Sequence, residues 1–197
     1  MVIIDDLFNN EDLIMLNKLF ESRKNLWAYD SETTPGAETT DDTQDSGHIV
    51  LPLVSNNQIN VGCRDIVTSV VPQIDKVSLK LRKLGHAITA IYRIKLNVTF
   101  QNRDAHENSH NLRHIDEGYE DDVTYYVTAL VYPRDTDGDF YVFTEEGTER
   151  VAPKKGRTLV FPSSYPHAGN NPRQFNDRRA INFIFECVKN ESPSTEE

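Results

Sequence analysis

Three of the six histidines in this 197-residue chain lie within nine residues, from His106 to His114, and Asp116 follows two positions later. Imidazole nitrogens and carboxylate oxygens are the common protein ligands of zinc and of non-haem iron. The segment therefore predicts a metal site. Its spacing fits two kinds of site that exclude each other, because each requires a different backbone conformation.

The first kind of site is the H-E-x-x-H pattern formed by His106, Glu107 and His110. On a helix, positions i and i+4 share one face, so the two histidines bind zinc and the glutamate serves as the base of a metalloprotease. The surrounding residues do not favour a helix, since Asn108 and Ser109 are poor helix formers and no apolar stripe accompanies them. A zinc protease is therefore kept as the minor alternative.

The second kind of site uses the H-x-D pair His114 and Asp116. Side chains at positions i and i+2 point the same way on a strand, whereas a helix separates them by about 200°. The pair therefore predicts a strand. A third ligand, His167, lies 53 residues after His114, just beyond the apolar segment Thr158–Phe161. Two imidazoles and one carboxylate form the facial triad of non-haem Fe(II) oxygenases, which leaves positions on the metal open.

A candidate anion-binding residue, Arg178, opens the last apolar segment of the chain. On a strand it shares one face with Ala180 and Asn182, while Ile181 and Phe183 occupy the other. If the apolar face packs on helices, Arg178 points into a barrel, where a guanidinium can hold a dicarboxylate through paired hydrogen bonds.

Four further residues are candidates for the same pocket. Arg93 and Lys95, on the polar face of an earlier strand, are alternative anchors for the dicarboxylate. Tyr132 and Asn97 are candidate cofactor-binding residues, although packing or a hydrogen bond at a strand end is the more common role of such residues.

Several short strands must position these side chains. Residues Tyr92 to Phe100 alternate apolar and polar side chains with a period of two, which is typical of a strand with one buried face. The β-branched and aromatic segments that follow, separated by turn sequences, are Val123–Tyr132, Phe140–Phe143, Thr158–Phe161 and Ala180–Val188. Such a series predicts a sandwich or barrel.

The first half of the chain predicts two helices and a long loop. Asn10 is the expected cap of a helix that ends near Lys24. A second helix is expected from Arg64 to Leu84, with Gly85 closing it and Pro72 kinking or splitting it. Between them, residues 25–63 contain no lysine or arginine and are rich in acidic residues, which predicts an acidic lid loop.

Residues from about 90 to 186 resemble the 2-oxoglutarate- and Fe(II)-dependent oxygenase superfamily, in its prolyl-4-hydroxylase-like branch and particularly its small phage-encoded members. The matching pieces are R-I-K-L-N (93–97), H-I-D (114–116), T-A-L-V-Y (128–132), D-G-D-F-Y-V-F (137–143), P-K-K-G-R-T-L-V-F-P-S (153–163), Y-P-H-A-G (165–169) and R-R-A-I-N-F (178–183). The order of H-x-D, distal histidine and arginine is specific for the superfamily.

The resemblance implies a mainly β fold with supporting helices, a double-stranded β-helix or jelly roll with the N-terminal helices packed on one sheet. It implies a single oxygenase domain over residues 1–189, in which residues 1–86 give helical support and the acidic lid and residues 87–189 form the jelly-roll core. Residues 190–197 are expected to be a disordered tail.

The resemblance also implies ligands and chemistry. His114, Asp116 and His167 are expected to bind Fe(II), and Arg178 to bind the distal carboxylate of 2-oxoglutarate. The expected reaction hydroxylates a substrate while O2 converts 2-oxoglutarate to succinate and CO2, with ascorbate as an optional further reductant. A jelly-roll protein that binds a metal or ligand without turnover, such as a cupin, is the alternative from another class.

Composition limits the partners. The net charge of 21 − 31 = −10 makes nucleic-acid binding unlikely, since that depends on clustered lysine and arginine. No apolar stretch is long enough for a membrane helix, and the two cysteines form no disulfide framework, so a cytoplasmic location is expected, in the host cytoplasm if the protein is phage-encoded. Acidic residues in segment 25–63 and at Glu117, Glu120, Asp121 and Asp122 predict a cationic or neutral substrate, either a basic or proline-containing peptide or a small molecule.

Overall fold

The computed structural model describes residues 1–21, 26–30, 43–44, 48–106 and 109–189. Within these ranges the chain forms three α-helices and thirteen strands. In chain order they are β1 (Val2–Ile4), α1 (Asn10–Lys18), β2 (Ala28–Asp30), β3 (Thr43–Gln44), β4 (His48–Ser55), β5 (Gln58–Ile59), α2 (Arg64–Ser69), α3 (Val71–Lys83), β6 (Ala87–Phe100), β7 (His110–Asn111), β8 (Thr124–Val131), β9 (Phe140–Thr144), β10 (Gly147–Val151), β11 (Thr158–Pro162), β12 (His167–Gly169) and β13 (Asp177–Val188).

Two antiparallel sheets make up the jelly roll. The main sheet has the strand order β1-β11-β8-β13-β6-β4-β2, with β5 paired to β4, and the smaller sheet has the order β10-β9-β12. Apolar side chains from both sheets form one buried cluster, in which Leu130 and Phe161 of the main sheet join Phe140, Val142 and Val151 of the smaller one. The prediction of a mainly β jelly roll with supporting helices is confirmed.

The helices cover the other face of the main sheet. Alternate residues of β13, including Ile181 and Phe183, share a second buried cluster with Leu16 of α1 and with Val77 and Leu81 of α3. Side chains alternate across a strand, so this packing turns the other half of β13 towards the smaller sheet. The same alternation brings Arg179 to the helical side, where its Nη1 donates to Asn17 Oδ1 at 3.1 Å.

The helices differ in detail from the sequence prediction. The cap of α1 is Asn9 rather than Asn10, since the Asn9 side chain accepts from the Asp12 amide while Asp12 accepts from the Asn9 amide. The second helix is split at Val70 into α2 and α3, and Pro72 sits in the first turn of α3, where its missing N–H costs no hydrogen bond. None of the described helices is long and apolar enough to cross a membrane.

The expectation of an unbroken loop over residues 25–63 is wrong. In the described part of that segment, β2 and β4 extend the main sheet and β4 pairs with β6 over most of its length. Pro52 concealed this strand, because proline is rare in central strands, and the register shifts between Pro52 and Val54. Residues 25, 31–42 and 45–47 of the lid expected over residues 25–63, and the tail 190–197, lie outside the described residues.

Candidate metal centre

His114 and His167 lie directly opposite each other across a pair of backbone hydrogen bonds. The His114 amide donates to the His167 carbonyl at 3.0 Å, and the His167 amide donates to the His114 carbonyl at 2.9 Å. The imidazole centroids are consequently 4.5 Å apart. The sequence predicted a strand at the H-x-D pair, but in the structure His114 makes only an isolated β-bridge.

Asp116 completes a group of three. Its amide donates to the Ser163 carbonyl at 3.0 Å, which holds the backbone after the bridge against the end of β11. Asp116 Oδ2 lies 3.6 Å from His167 Nε2, and one ligand atom from each of His114, Asp116 and His167 falls within 4.8 Å of the others. Among the described residues, the structure thus brings together the three that were expected to bind metal.

The hydrogen bonds of the two histidines leave one nitrogen of each ring available. Nδ1 of His167 lies 2.9 Å from the Tyr165 carbonyl, and Nδ1 of His114 lies 3.4 Å from the Leu112 carbonyl. A carbonyl only accepts, so Nδ1 carries the proton in each ring and Nε2 keeps its lone pair. A hydrogen bond from the nitrogen that does not bind metal usually fixes the orientation of a metal-binding histidine.

The Asp116 carboxylate is held by three neighbouring side chains. Arg93 Nη2 donates to Oδ1 at 2.6 Å, Thr128 Oγ1 donates to Oδ2 at 2.9 Å, and Asn182 Nδ2 lies 2.9 Å from both oxygens. Arg93 Nη2 also reaches the Asp116 carbonyl at 3.1 Å. The alternative role of Arg93 as a dicarboxylate anchor is therefore wrong, because its guanidinium is committed to Asp116.

Protonation in this site suits a metal. Burial, together with the neighbouring His167, lowers the pKa of His114 to about 4, and burial lowers the pKa of His167 as well. Burial alone would raise the pKa of Asp116, but His167, Arg93 and the Asn182 amide outweigh it and hold that pKa below its usual range. Near pH 7 the site therefore offers two neutral imidazoles and one carboxylate, the forms that bind metal.

A cavity of about 120 Å³ adjoins the three residues. Its lining contains both apolar and polar side chains, among them Lys95, Asn97, Thr99, Asn111, Phe161 and Arg178. None of the described residues that line it is acidic. Asn97 thus lies in the cavity as expected, together with Lys95.

Arg178 points into this cavity with much of its hydrogen-bonding capacity unused. It is 7% exposed, its Nη2 donates to Tyr132 Oη at 3.1 Å, and its Nε has no hydrogen-bond partner in the described structure. Tyr132 is fully buried beside it. A buried guanidinium without an acidic partner among the described residues is costly unless an anion pairs with it. This arrangement fits a dicarboxylate such as 2-oxoglutarate.

Gly169 makes the position of Arg178 possible. A Cβ atom on Gly169 would lie 2.3 Å from Nη1 and 2.9 Å from Cζ of Arg178, so no larger residue fits without moving the guanidinium. The sequence pattern places Gly169 two residues after His167, but gives no reason for its small size. The reason is the approach of the Arg178 side chain from strand β13, which belongs to the facing main sheet.

The H-E-x-x-H residues do not form a second site in the described structure. His110 lies in the short strand β7, with its ring 5.4 Å from that of Tyr141 and 5.2 Å from that of Phe143. Its Nδ1 lies 2.7 Å from the Asn111 carbonyl. Glu107 lies outside the described residues, and His106 is exposed. His110 therefore packs against the smaller sheet instead of facing a histidine partner on a helix.

Comparison with known proteins agrees with this geometry. The sequence profile of the 2OG-Fe(II) oxygenase superfamily matches residues 98–186. Over these residues the chain is similar to the superfamily, and the match supports a dioxygenase that uses Fe(II) and 2-oxoglutarate. A search of the curated proteins finds no significant match.

Solved structures share the fold of this chain at low sequence identity. An oxidoreductase of the 2OG-Fe(II) oxygenase family from Burkholderia pseudomallei is 15% identical with a TM-score of 0.70, over 94% of this chain and 84% of that chain. A prolyl hydroxylase from Trichoplax adhaerens, in complex with a hypoxia inducible factor peptide fragment, is 14% identical with a TM-score of 0.63, over 93% and 82%. HygX from Streptomyces hygroscopicus, with nickel and 2-oxoglutarate bound, is 12% identical with a TM-score of 0.57, over 93% and 81%.

Proposed function

We propose that His114, Asp116 and His167 are the Fe(II) ligands of this dioxygenase and that Arg178 binds the distal carboxylate of 2-oxoglutarate. The observation that supports this most strongly is the convergence of one atom from each ligand within 4.8 Å, with Nδ1 of both histidines occupied by carbonyls. Nε2 of each ring and one carboxylate oxygen then face a common point, which is the facial set that Fe(II) oxygenases use.

When bound, iron and 2-oxoglutarate supply the chemistry in which O2 converts 2-oxoglutarate to succinate and CO2 and the second oxygen atom hydroxylates the substrate. The chain supplies position and environment. Arg93, Thr128 and Asn182 hold the carboxylate of Asp116 in one orientation. Phe140 and Phe161 pack their rings 5.4 Å and 5.1 Å from the His167 ring, which excludes water from that side of the ligand.

For the substrate we propose a peptide or a small molecule that is neutral or cationic outside its reacting group. The support is the acidic surface beyond the metal ligands, where Glu120, Asp121 and Asp122 are exposed. The Trichoplax relative, which is in complex with a peptide fragment, makes a peptide a reasonable first choice. We place the reaction in the cytoplasm.

The metal assignment is tested by anaerobic addition of Fe(II) and 2-oxoglutarate. A visible charge-transfer band is expected, and His167→Ala should abolish it. The matched control is His110→Ala, which removes a buried histidine of the same chain region without touching the proposed ligands. Zinc binding that survives His167→Ala but not His110→Ala would instead support a protease. Metal binding without the band would support a non-catalytic jelly roll.

The substrate assignment is tested with panels of basic, neutral and acidic peptides, each with and without proline. Succinate formation that depends on peptide is expected to be greater for the basic and neutral members than for the acidic ones. Turnover that is equal across the panels, or highest with acidic peptides, would contradict the proposed preference. Substitution of Glu120 and Asp122 by Gln and Asn should reduce the difference between panels.

A further inference from the structure

Lys95 is a second cation in the cavity, and the proposed function gives it no role. The chain carries a net charge of −10, yet the described residues that line the cavity include Lys95 and Arg178 and no acidic side chain. Arg93, the other nearby cation, is committed to Asp116. A cavity whose lining is positive in an otherwise acidic protein is suited to bind more negative charge than one carboxylate.

The strand register places Lys95 at the metal end of the site. Lys95 of β6 is paired with Asn182 of β13, and Asn182 donates to both oxygens of Asp116. Arg178 lies four residues before Asn182, about 13 Å away along the same strand. Besides Arg93, two cations of the described residues therefore lie on the inner face of the sheet: Lys95 at the end nearer Asp116, and Arg178 well separated from it.

We infer that Lys95 binds a carboxylate next to the metal, as the counterpart of Arg178 at the other end of the cavity. This inference rests on the proposed function of the site. The carboxylate has two sources: the carboxylate of the cosubstrate that lies next to the metal, or a carboxylate of the substrate. Asn97, the next residue on the same strand face, adds a hydrogen-bonding group beside Lys95, which suits either source.

The first arm of the test measures binding of 2-oxo acids without turnover. Anaerobic Fe(II) protein is titrated with 2-oxoglutarate and with pyruvate, which keeps the 2-oxo carboxylate but lacks the distal one. If Lys95 binds the cosubstrate, Lys95→Met weakens both ligands by the same factor, about 10- to 100-fold. Arg178→Met weakens 2-oxoglutarate alone. Lys95→Arg should restore part of the affinity, and the exposed Lys154→Met is the control.

The second arm tests the substrate as the source. Protein loaded with Mn(II) and 2-oxoglutarate is mixed with 13C-labelled acetate or, as a neutral match, acetamide, and the relaxation of their carbons by Mn(II) is measured. If Lys95 binds a substrate carboxylate, acetate relaxes faster than acetamide and Lys95→Met removes the difference. In that case the 2-oxo acid affinities of the first arm stay unchanged.

One pattern of results would overturn the inference. If Lys95→Met changes neither the 2-oxo acid affinities nor the difference between acetate and acetamide, Lys95 binds no carboxylate. This failure is distinct from failure of the proposed function, which would show as metal binding by the unmodified protein without a charge-transfer band on addition of 2-oxoglutarate. Metal content measured on each variant shows that a loss of affinity is not a loss of iron.

Discussion

The two faces of strand β13 differ in chemistry: one is apolar and the other carries polar side chains. On the face towards the helices, Ile181, Phe183 and Phe185 are each at most 1% exposed and pack in a wholly apolar cluster. On the face towards the smaller sheet, Arg178 and Asn182 are almost as buried, at 7% and 6%, but they reach polar partners. Adjacent residues of one strand thus differ in environment far more than in burial.

This difference shows where stability and chemistry are located. Burial of large apolar side chains is the dominant favourable term in folding, so the helical face holds the stability. The inner face carries buried polar groups, each of which costs free energy unless it forms a hydrogen bond. Two atoms on this face, Arg178 Nε and Asn182 Oδ1, have no hydrogen-bond partner in the described structure. The following substitutions test this division, from the largest expected effect to the smallest.

Removal of a metal ligand that lies opposite the inner face should abolish activity and leave the fold intact. His167→Ala takes one of three ligands from the site and is expected to eliminate Fe(II)-dependent oxidation of 2-oxoglutarate. Because the bridge to His114 uses backbone atoms, the circular dichroism spectrum should not change. Residual turnover within tenfold of the unmodified protein would show that the metal is bound elsewhere.

Removal of an outer-face side chain should do the reverse. Phe183→Ala is expected to lower the free energy of unfolding by about 3–5 kcal/mol, since it leaves a cavity in a close-packed cluster. Urea unfolding of the metal-free protein measures this loss. At a temperature where the variant is still folded, its Fe(II) and 2-oxoglutarate affinities should equal those of the unmodified protein, and a weaker affinity would show that the two faces are coupled.

Acid should lower the free energy of unfolding through the buried ring of His114. The unfolded chain protonates His114 below about pH 6.5, whereas the folded chain resists protonation of that ring down to about pH 4. The unfolded state therefore binds more protons in this window, so the stabilisation is complete above about pH 6.5 and is lost as the pH falls to about 4. The expected loss is about 3 kcal/mol.

Urea unfolding of the metal-free protein at pH 7.5, 5.5 and 4.5 measures this loss. His114→Gln should flatten the pH dependence, because glutamine does not titrate in this range. A parallel decline in both proteins would assign the effect to other groups.

A single added methyl group should disturb the anion site. Gly169→Ala places a Cβ within contact distance of the Arg178 guanidinium, so 2-oxoglutarate is expected to bind about 10- to 100-fold more weakly. Titration of the anaerobic Fe(II) protein measures the change. In an Arg178→Met background the same substitution should have almost no further effect, and a full additional loss there would show that Gly169 acts through another contact.

The smallest expected effect concerns the support of Asp116. Asn182→Ala removes two hydrogen bonds to that carboxylate and should weaken metal binding about tenfold. Mn(II) affinity measured by calorimetry provides the comparison. Asn97→Ala is the matched control, because Asn97 lines the same cavity on the neighbouring strand. Equal losses in both variants would mean that the Asn182 contacts do not orient Asp116.

Sequence patterns predicted the parts of this site that depend on local geometry. The spacing of His114 and Asp116 gave their shared direction, and the period of two along β13 placed Arg178 on the inner face and Arg179 on the outer one. The fold class followed from the succession of short β segments. These features depend on the order and spacing of residues along the chain, which the sequence shows directly.

Contacts between distant segments could not be predicted in this way. Arg93 was a candidate anchor because it lies on a polar strand face, but that pattern does not show that Asp116 Oδ1 comes within 2.6 Å of its Nη2. Thr128 and Asn182 were not singled out as partners of Asp116, since nothing near them in sequence marks the contact. Strand β4 was missed because Pro52 interrupts a continuous apolar segment.

The backbone bridge between His114 and His167 couples metal binding to folding, because two of the three proposed ligands come together only when the bridge forms. The bridge joins residues 53 positions apart, and closing a loop of this length carries an entropic cost that the surrounding strand pairs must offset. An ion that binds only the closed form stabilises it in proportion to the logarithm of its concentration. Bound iron would therefore stabilise the bridge between His114 and the smaller sheet, in addition to its role in catalysis.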